Sequence, residues 1–272
     1  MLRRHAIASL FAAGAWGKAV DRCLEGVHGA IVLAERKSRR LITAHSPELA
    51  GTLALPPGST MKPLVLQTMW ERGMLHATDR LPCPGELRIN GRSLACSHPP
   101  LPGPVGVREA IAYSCNCFVA HYAARFHGEE WTRAMEQWGL ASRSGWFGEG
   151  EGSGRVWNAP VALQALGEDG VLATPAALAM AYWRLANRAA DPVLAGMRDA
   201  VEAGTARRAR VAGMKVAGKT GSTRTAQGVY TAWFAGFTDA AVIVVAVQGK
   251  SGGGDAAPVA GRALEAHARG MA

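Results

Sequence analysis

The sequence predicts an α/β protein in which an antiparallel sheet is flanked by helices and a helical subdomain is inserted between the two parts of that sheet. Three observations support this prediction. Two strand-like runs open the chain, a long middle section has helical spacing, and three more strand-like runs precede a final helix. Since such layers pack around one core, we expect the N- and C-terminal parts to share the sheet and a cleft to separate it from the helical middle.

Hydrophobic periodicity predicts the individual elements. Residues 29–34 and 41–44 flank a charged turn, as in a hairpin, and residues 82–104, rich in Pro, Gly and Ser, are expected to be irregular. Thr174 is a good helix cap before Pro175. Helical spacing is found at residues 61–73, 107–126, 129–138, 175–187, 192–204 and 256–269. Strand-like patterns return at residues 214–217, 230–237 and 242–248.

The composition is that of a globular protein, with 49% hydrophobic and 19% charged residues among 272. This length suffices for one large domain without metal or disulfide support. The net charge of +9 suits an anionic partner such as a wall polymer or a membrane surface, or simply reflects arginine-rich solvated faces. Because no nucleic-acid-binding motif accompanies the charge, no nucleic acid partner is expected.

Residues 1–27 are expected to be either an export signal or an ordinary N-terminal helix. Arg3 and Arg4 precede a short run of mostly small apolar residues, which is too short to span a bilayer but resembles the two regions of a signal. A signal would place the protein in the periplasm or otherwise outside the cytoplasm. The predicted domain then covers residues 28–272, with its helical subdomain at about 60–212.

The five cysteines are an odd number. Cys83 and Cys96 delimit a short segment and are the pair placed for a disulfide if the protein is exported. Cys115 and Cys117 lie two residues apart on a predicted helix, where they cannot bridge each other, and we interpret them as small core residues rather than ligands. The sequence therefore predicts neither a metal site nor a cofactor.

Two short motifs contain serine beside a proton-transfer partner. Ser59 and Lys62 form an S-x-x-K, and because residues i and i+3 share a helix face, a neutral lysine can take the serine proton. Ser114 and Asn116 form an S-x-N, in which the hydroxyl can relay a proton and the amide can hold a carbonyl. Each motif alone is weak, since a helix cap or a buried polar pair has the same pattern.

A third motif, K-T-G, comprises Lys219, Thr220 and Gly221 at the end of a predicted strand. The lysine and the threonine hydroxyl suit a carboxylate, and glycine lets a substrate backbone approach as an added strand. The alternative is an exposed turn after a strand.

With these motifs in this order, the chain resembles the transpeptidase domain of penicillin-binding proteins, a superfamily shared with serine β-lactamases. The similarity extends over roughly residues 29–268. It is visible in PPGSTMKP, REAIAYSCNCF, ATPAALAMAYWRLAN, EAGTA and VAGKTGSTRTAQGVYTAWFAGF, which are similar to class B transpeptidases. The resemblance implies a penicillin-binding protein fold with its active site in the cleft.

The resemblance also implies a role for each motif residue. Ser59 would be the nucleophile, Lys62 its base and Ser114 a proton relay. Asn116 would organise the lysine and the substrate, and the K-T-G motif would hold a terminal carboxylate. The backbone N–H groups of Ser59 and Ser222 would form the oxyanion hole.

The implied partners are peptidoglycan stem peptides ending in D-Ala-D-Ala, and β-lactams, with no cofactor. The chain departs from the family because Ser222 replaces a common second threonine, and because we expect neither the membrane helix nor the pedestal domain of class B enzymes. The interval from Ser114 to Lys219 is also short. Transpeptidase and carboxypeptidase action therefore both stay open.

Two other functions fit the same motifs. A β-lactamase would hydrolyse the acyl-enzyme with a glutamate, for which Glu149 and Glu151 in a glycine-rich loop are candidates. A non-catalytic penicillin sensor or a degenerate module of a wall complex is the second alternative, although all polar groups of the motifs are present.

Overall fold

The computed structural model describes residues 28–225 and 228–271, together with residues 22, 25 and 26. The predicted export signal or N-terminal helix at residues 1–27 therefore lies almost wholly outside the described residues. In chain order the described strands are β1 (Gly29–Glu35), β2 (Leu41–His45), β3 (Arg88–Ile89), β4 (Arg92–Ser93), β5 (Arg155–Val156), β6 (Val171–Leu172), β7 (Ala217–Arg224), β8 (Tyr230–Phe237) and β9 (Ala241–Gln248).

A five-stranded sheet joins the two ends of the chain, with the order β2-β1-β9-β8-β7 and antiparallel pairing throughout. The sheet is buried on both faces. Val32 and Val244 face the core formed with the helical middle, whereas their neighbours Ile31 and Val245 face the core formed with the last helix. This two-residue alternation explains why β1 and β9 are continuously hydrophobic.

Among residues 28–225 and 228–271, the helices lie between β2 and β7 or follow β9, so the predicted α/β architecture is confirmed. They are α1 (Pro47–Thr52), α2 (Met61–Glu71), α3 (Val107–Ala112), α4 (Asn116–Ala123), α5 (Gly128–Gln137), α6 (Val161–Ala165), α7 (Pro175–Ala186), α8 (Asp191–Glu202) and α9 (Ala257–Met271). Thr174 caps α7 as predicted, since its Oγ1 accepts a hydrogen bond from Ala177 N at 3.0 Å. Within the described part, none of these helices is long and apolar enough to cross a membrane.

The single helix predicted at residues 107–126 is wrong. The chain leaves the helical conformation at Ser114, whose φ is 63°, and Cys115 is extended and serves as the N-cap of α4. A left-handed serine is uncommon and needs support from its surroundings. The S-x-N motif thus occupies a break between two helices, where its side chains and carbonyl can point away from the helix axis.

The strand predicted at residues 214–217 is also displaced. The strand is Ala217–Arg224, so the K-T-G motif lies inside β7 rather than at its end. Glycine and lysine have low strand propensity, and pairing with all eight residues of β8 overrides it.

The irregular segment at residues 82–104 contains a small hairpin. β3 and β4 pair across Asn90 and Gly91, whose φ values of 48° and 77° are those of a tight hairpin turn. Backbone bonds from Leu94 N to Leu87 O and from Cys96 N to Gly85 O, both 2.8 Å, continue the pairing towards its base. We call residues 83–96 the cysteine hairpin.

Candidate active site

A cleft of about 340 Å³ opens between β7 and the helical layer. It is strongly polar, and six of the residues singled out from the sequence line it: Ser59, Ser114, Asn116, Thr220, Gly221 and Ser222. Lys62 and Lys219 are completely buried. The structure therefore brings three motifs, more than fifty residues apart in the chain, to one place.

Ser59 lies in a short 3₁₀ turn, Gly58–Thr60, directly before α2. The turn is firmly held, because Tyr182 Oη donates to Thr60 O at 2.8 Å and Thr60 Oγ1 donates to Pro57 O at 2.7 Å. Gly58 has a φ of 55°, and a Cβ there would lie 2.7 Å from a methyl group of Thr223. Ser59 is thus presented at the start of a helix by a turn that requires glycine.

Lys62 is anchored on the S-x-N motif. Its Nζ donates to Ser114 O at 2.7 Å, to Ser114 Oγ at 3.0 Å and to Asn116 Oδ1 at 2.5 Å. Within the described residues these are its hydrogen bonds, and none reaches Ser59. The contacts with Ser114 also supply the support that its left-handed conformation needs.

Lys219, on β7, contacts the same hydroxyl. Its Nζ donates to Ser114 Oγ at 2.9 Å and to Thr220 O at 3.0 Å. A hydroxyl oxygen has two lone pairs and one proton, so Ser114 can accept from one amine and donate to the other once that amine is neutral. Ser114 is therefore placed to pass a proton between the two lysines.

Burial makes the neutral amine accessible near physiological pH. Removal from water lowers the pKa of Lys62 from 10.5 to about 8, although the nearby thiols of Cys115 and Cys96 act in the opposite direction. With that pKa about a tenth of the Lys62 side chains are neutral at pH 7. Burial, and then the charge of Lys62, lower the pKa of Lys219 well below its usual value.

Asn116 connects this lysine site to the cysteine hairpin. While its Oδ1 faces Lys62, its Nδ2 donates to Leu94 O at 2.9 Å and to Ala95 O at 3.3 Å. The position of Lys62 therefore depends on where the hairpin lies.

β7 is an edge strand of the sheet, and its middle packs against the turn that contains Ser59. A Cβ on Gly221 would lie 2.7 Å from Pro57 O. Glycine at this position therefore allows β7 to pack closely against Pro57. The Ser222 hydroxyl accepts from Gly252 N at 2.9 Å. Its hydroxyl thus has a structural partner, and the substitution of serine for threonine leaves the strand intact.

Five further residues that line the cleft were not singled out from the sequence, and two of them, Thr205 and Glu168, contact other side chains of the site. Thr205 Oγ1 lies 2.9 Å from Thr220 Oγ1, and it belongs to the EAGTA stretch that carried part of the resemblance. Glu168 lines the cleft and pairs with Arg92 at 3.2 Å, and burial raises its pKa. No spacing rule connects Glu168 with the three motifs, so the sequence offered no signal for it.

The glutamates considered for a β-lactamase lie elsewhere. Glu149 is exposed, and the buried Glu151 carboxylate accepts from Ser144 N at 2.6 Å and from Gly145 N at 2.9 Å. Glu151 therefore organises its own loop, and neither residue lines the cleft.

The cysteines differ from the expectation in two respects. Cys83 and Cys96 are neighbours at the base of the hairpin, but they are free thiols with Sγ atoms 3.6 Å apart, where a disulfide requires about 2.05 Å. Cys115 lies outside the helix, and its sulfur faces the same two thiols. A hydrogen bond with Cys115, ahead of backbone N–H groups, lowers the pKa of Cys96.

Comparison with solved structures shows the same fold in two bacterial proteins. Penicillin-binding protein 2 of Pseudomonas aeruginosa superposes with a TM-score of 0.79 at 22% identity, covering 93% of this chain and 76% of that one. A putative peptidoglycan glycosyltransferase of Atopobium parvulum superposes with a TM-score of 0.79 at 17% identity, covering 93% and 75%. No curated protein matches the chain in sequence.

The family assignment rests on a sequence model as well as on shape. The model of the penicillin binding protein transpeptidase domain matches residues 29–265, which is most of the chain. The same span contains the cleft and every motif residue described above. The chain belongs to the penicillin-binding protein transpeptidase domain family.

Proposed function

We propose that this chain is a serine acyltransferase that forms an acyl-enzyme on Ser59 from D-Ala-D-Ala peptides of peptidoglycan, and likewise from β-lactams. The observation that carries the proposal is the pair of buried lysines that both contact Ser114 Oγ, at 3.0 and 2.9 Å, where Ser114 and Ser59 line the same cleft. Each of the two buried amines disfavours the charged form of the other. Such a pair is suited to proton transfer rather than to stabilising the fold.

Acylation begins with attack of Ser59 Oγ on the carbonyl carbon between the two D-alanines. Neutral Lys62, one helical turn along the chain, accepts the serine proton as the new C–O bond forms. The C–N bond then breaks, and the leaving amine of D-alanine takes a proton from Ser114, which is replenished by Lys62. For a β-lactam the amide of the ring is opened in the same way and the leaving nitrogen stays attached.

The edge of β7 is suited to hold the peptide. An extended substrate can add as a further strand, and the Thr220 hydroxyl together with Lys219 can receive the terminal carboxylate. The charge of a bound carboxylate would itself favour the protonated form of Lys219, against the effect of burial. The backbone N–H groups of Ser59 and Ser222 supply the dipoles for the carbonyl oxygen of the transition state.

Hydrolysis of the acyl-enzyme is the second candidate outcome, as in a carboxypeptidase or a β-lactamase. The observation that favours it is Glu168, a partly buried carboxyl group in the same cleft. A carboxylate there can activate a water molecule, whereas transfer to a peptide amine requires room for an acceptor strand.

For either activity we propose a location outside the cytoplasm, in contact with the wall. The net charge of +9 favours binding to an anionic polymer or to a membrane surface.

Intact-mass measurement after exposure to penicillin tests the proposal. We expect a mass increase of one antibiotic molecule, located at Ser59 by peptide mapping and absent in Ser59→Ala. Ser97→Ala, which removes another serine of the cleft, is the matched control and should label normally. An adduct that persists in Ser59→Ala, or a wild-type protein that never labels, would refute the assignment.

The lifetime of the adduct separates the two outcomes. A stable adduct supports acyl transfer to an amine, whereas rapid loss of the adduct with turnover of nitrocefin identifies a hydrolase. If loss is rapid, Glu168→Gln should lengthen the lifetime, and an unchanged lifetime would exclude Glu168 as the base.

A further inference from the structure

Four side chains outside the acyl-transfer machinery converge on one point. The sulfur atoms of Cys83, Cys96 and Cys115 and one ring nitrogen of His98 all lie within 4.8 Å of one another. The Sγ separations are 3.6 Å for Cys83 to Cys96, 3.4 Å for Cys83 to Cys115 and 3.8 Å for Cys96 to Cys115, and His98 Nε2 is 3.7 Å from Cys83 Sγ.

These separations are those of ligands around one tetrahedral ion. With Zn–S bonds of about 2.3 Å, tetrahedral geometry places sulfur atoms about 3.8 Å apart. A disulfide would instead bring two sulfurs to about 2.05 Å and leave the third apart. Nearly equal spacing of the three sulfurs, with a ring nitrogen 3.7 Å from one of them and within 4.8 Å of the others, therefore indicates a common centre rather than a bridge.

The histidine has the correct nitrogen free. His98 Nδ1 lies 2.8 Å from Pro99 O. A carbonyl oxygen can only accept, so Nδ1 is the protonated nitrogen, and in the neutral ring Nε2 keeps its lone pair towards the sulfurs. A ligand histidine whose other nitrogen donates to a carbonyl is the usual arrangement at zinc sites.

Each sulfur also has a backbone donor of the kind that stabilises bound thiolates. Gly85 N lies 3.4 Å from Cys83 Sγ, Asn116 N lies 3.2 Å from Cys96 Sγ, and Phe118 N lies 3.4 Å from Cys115 Sγ. These three donors fix where the sulfurs point before any ion is bound.

The fourth cysteine of the cluster has a different role. Cys117 Sγ lies 3.6 Å from Cys96 Sγ, but it also donates to Glu86 O at 3.4 Å and is not part of the mutually close set. Cys117 therefore supports the Cys96 sulfur from outside.

We propose that Cys83, Cys96, Cys115 and His98 bind one zinc ion with tetrahedral geometry. Binding displaces three thiol protons to solvent, forms three Zn–S bonds and one Zn–N bond, and changes no oxidation state. Sulfur ligands exclude Mg²⁺ and Ca²⁺. With four protein ligands there is no open coordination position, so the ion is structural.

The zinc site connects the cysteine hairpin to the active site. Cys83 and Cys96 come from the hairpin base and His98 from the segment after it, whereas Cys115 stands between Ser114 and Asn116. The ion would lock the hairpin against the S-x-N motif, in parallel with the bonds from Asn116 Nδ2 to Leu94 O and Ala95 O. The four ligands thus position Asn116, and through it Lys62.

Metal analysis of the purified, reduced full chain tests this site without any substrate, so its failure is distinct from failure of the acyl-transfer proposal. We expect about one zinc per chain. After removal with a chelator, added Co²⁺ should produce thiolate-to-cobalt charge-transfer absorption and the visible bands of tetrahedral cobalt. Octahedral cobalt spectra, or no stoichiometric uptake of Zn²⁺ by folded reduced protein, would overturn the site.

Single substitutions test the ligand set. Cys96→Ser and His98→Ala should each lower the zinc content several-fold and shift the cobalt spectrum, whereas Cys117→Ser, the matched control at a neighbouring thiol, should keep one zinc. Loss of zinc in Cys117→Ser with retention in His98→Ala would overturn the assignment of His98. Mass mapping that finds a Cys83–Cys96 disulfide in metal-free, active protein would overturn the proposal altogether.

Discussion

The β7 wall of the cleft is held by backbone hydrogen bonds, whereas the two parts of the opposite wall, residues 94–97 and 114–116, are joined to each other by side chains. β7 pairs with β8 at eight successive positions. The opposite wall depends on Lys62, on the Asn116 amide and on the thiols at the hairpin base. A backbone-built wall tolerates many side-chain changes, but a wall built from a few buried polar groups fails when one of them is removed.

The largest effect is expected from Lys62→Met, which removes the amine at the centre of the side-chain wall. General-base catalysis contributes about 10² to 10⁴ in rate, so acylation by a fluorescent penicillin should slow by about 10³-fold. Lys215→Met, at an exposed lysine near the start of β7, is the control and should label at the normal rate. Labelling of a folded Lys62→Met variant within tenfold of wild type would show that Lys62 is not the base.

Gly221→Ala tests the backbone wall at a place where side-chain size matters. The new methyl group would lie 2.7 Å from Pro57 O and 3.1 Å from Thr60 Cγ2, so the turn that contains Ser59 has to move away from β7. A displacement of about 1 Å costs about 10²-fold in rate, and the labelling rate should fall by that amount. Gly150→Ala, where the methyl group meets nothing within 4 Å, is the control. A normal rate in Gly221→Ala would mean that the turn can shift without loss.

The pH dependence of acylation should report the Lys62 pKa of about 8. Since the reactive form is the neutral amine, the rate rises with pH and levels off above pH 8, with about a tenfold gain over pH 7. The charged or titratable groups that face Lys62 are Lys219, Glu168, Cys96, Cys115 and Cys117. Labelling rates in a series of buffers from pH 6 to 10 measure the profile, and a flat profile would contradict the proposed role.

The smallest effect is expected from Arg92→Ala at the tip of the hairpin. Its ion pair with Glu168 joins side chains that are 46% and 27% exposed. Such pairs contribute at most about 1 kcal/mol, so we expect a small drop in Tm and less than a threefold change in labelling. Arg88→Ala, on the neighbouring strand, is the control. A large loss of labelling in Arg92→Ala alone would mean that the tip, and not the base, orients the hairpin.

The sequence alone predicted the layers of the fold and the residues of the cleft. The spacing of hydrophobic residues along the chain is a local property, and it predicted the positions of β1, β8, β9 and most helices. The motif residues were found because serine, lysine and asparagine at fixed short spacings are chemically informative before any contact is known.

What the sequence did not predict depends on contacts between distant segments. The break at Ser114 is supported by Lys62 and Lys219, which come from 52 and 105 positions away. The interior position of K-T-G depends on pairing with β8. The cysteine cluster combines ligands from the hairpin and from the S-x-N motif, and its spacing matches none of the short cysteine pairs by which zinc sites are usually recognised.

The open edge of β7 has a consequence for solubility. A strand with unpaired N–H and C=O groups can pair with any extended chain, including another copy of the protein, and so promotes aggregation. The exposed side chains of β7 are Ser222 and Arg224, one small and polar and the other charged, and the opposite edge strand β2 is only five residues long. Replacing these two side chains with apolar ones would therefore threaten solubility at the same edge where we propose that a peptide substrate binds.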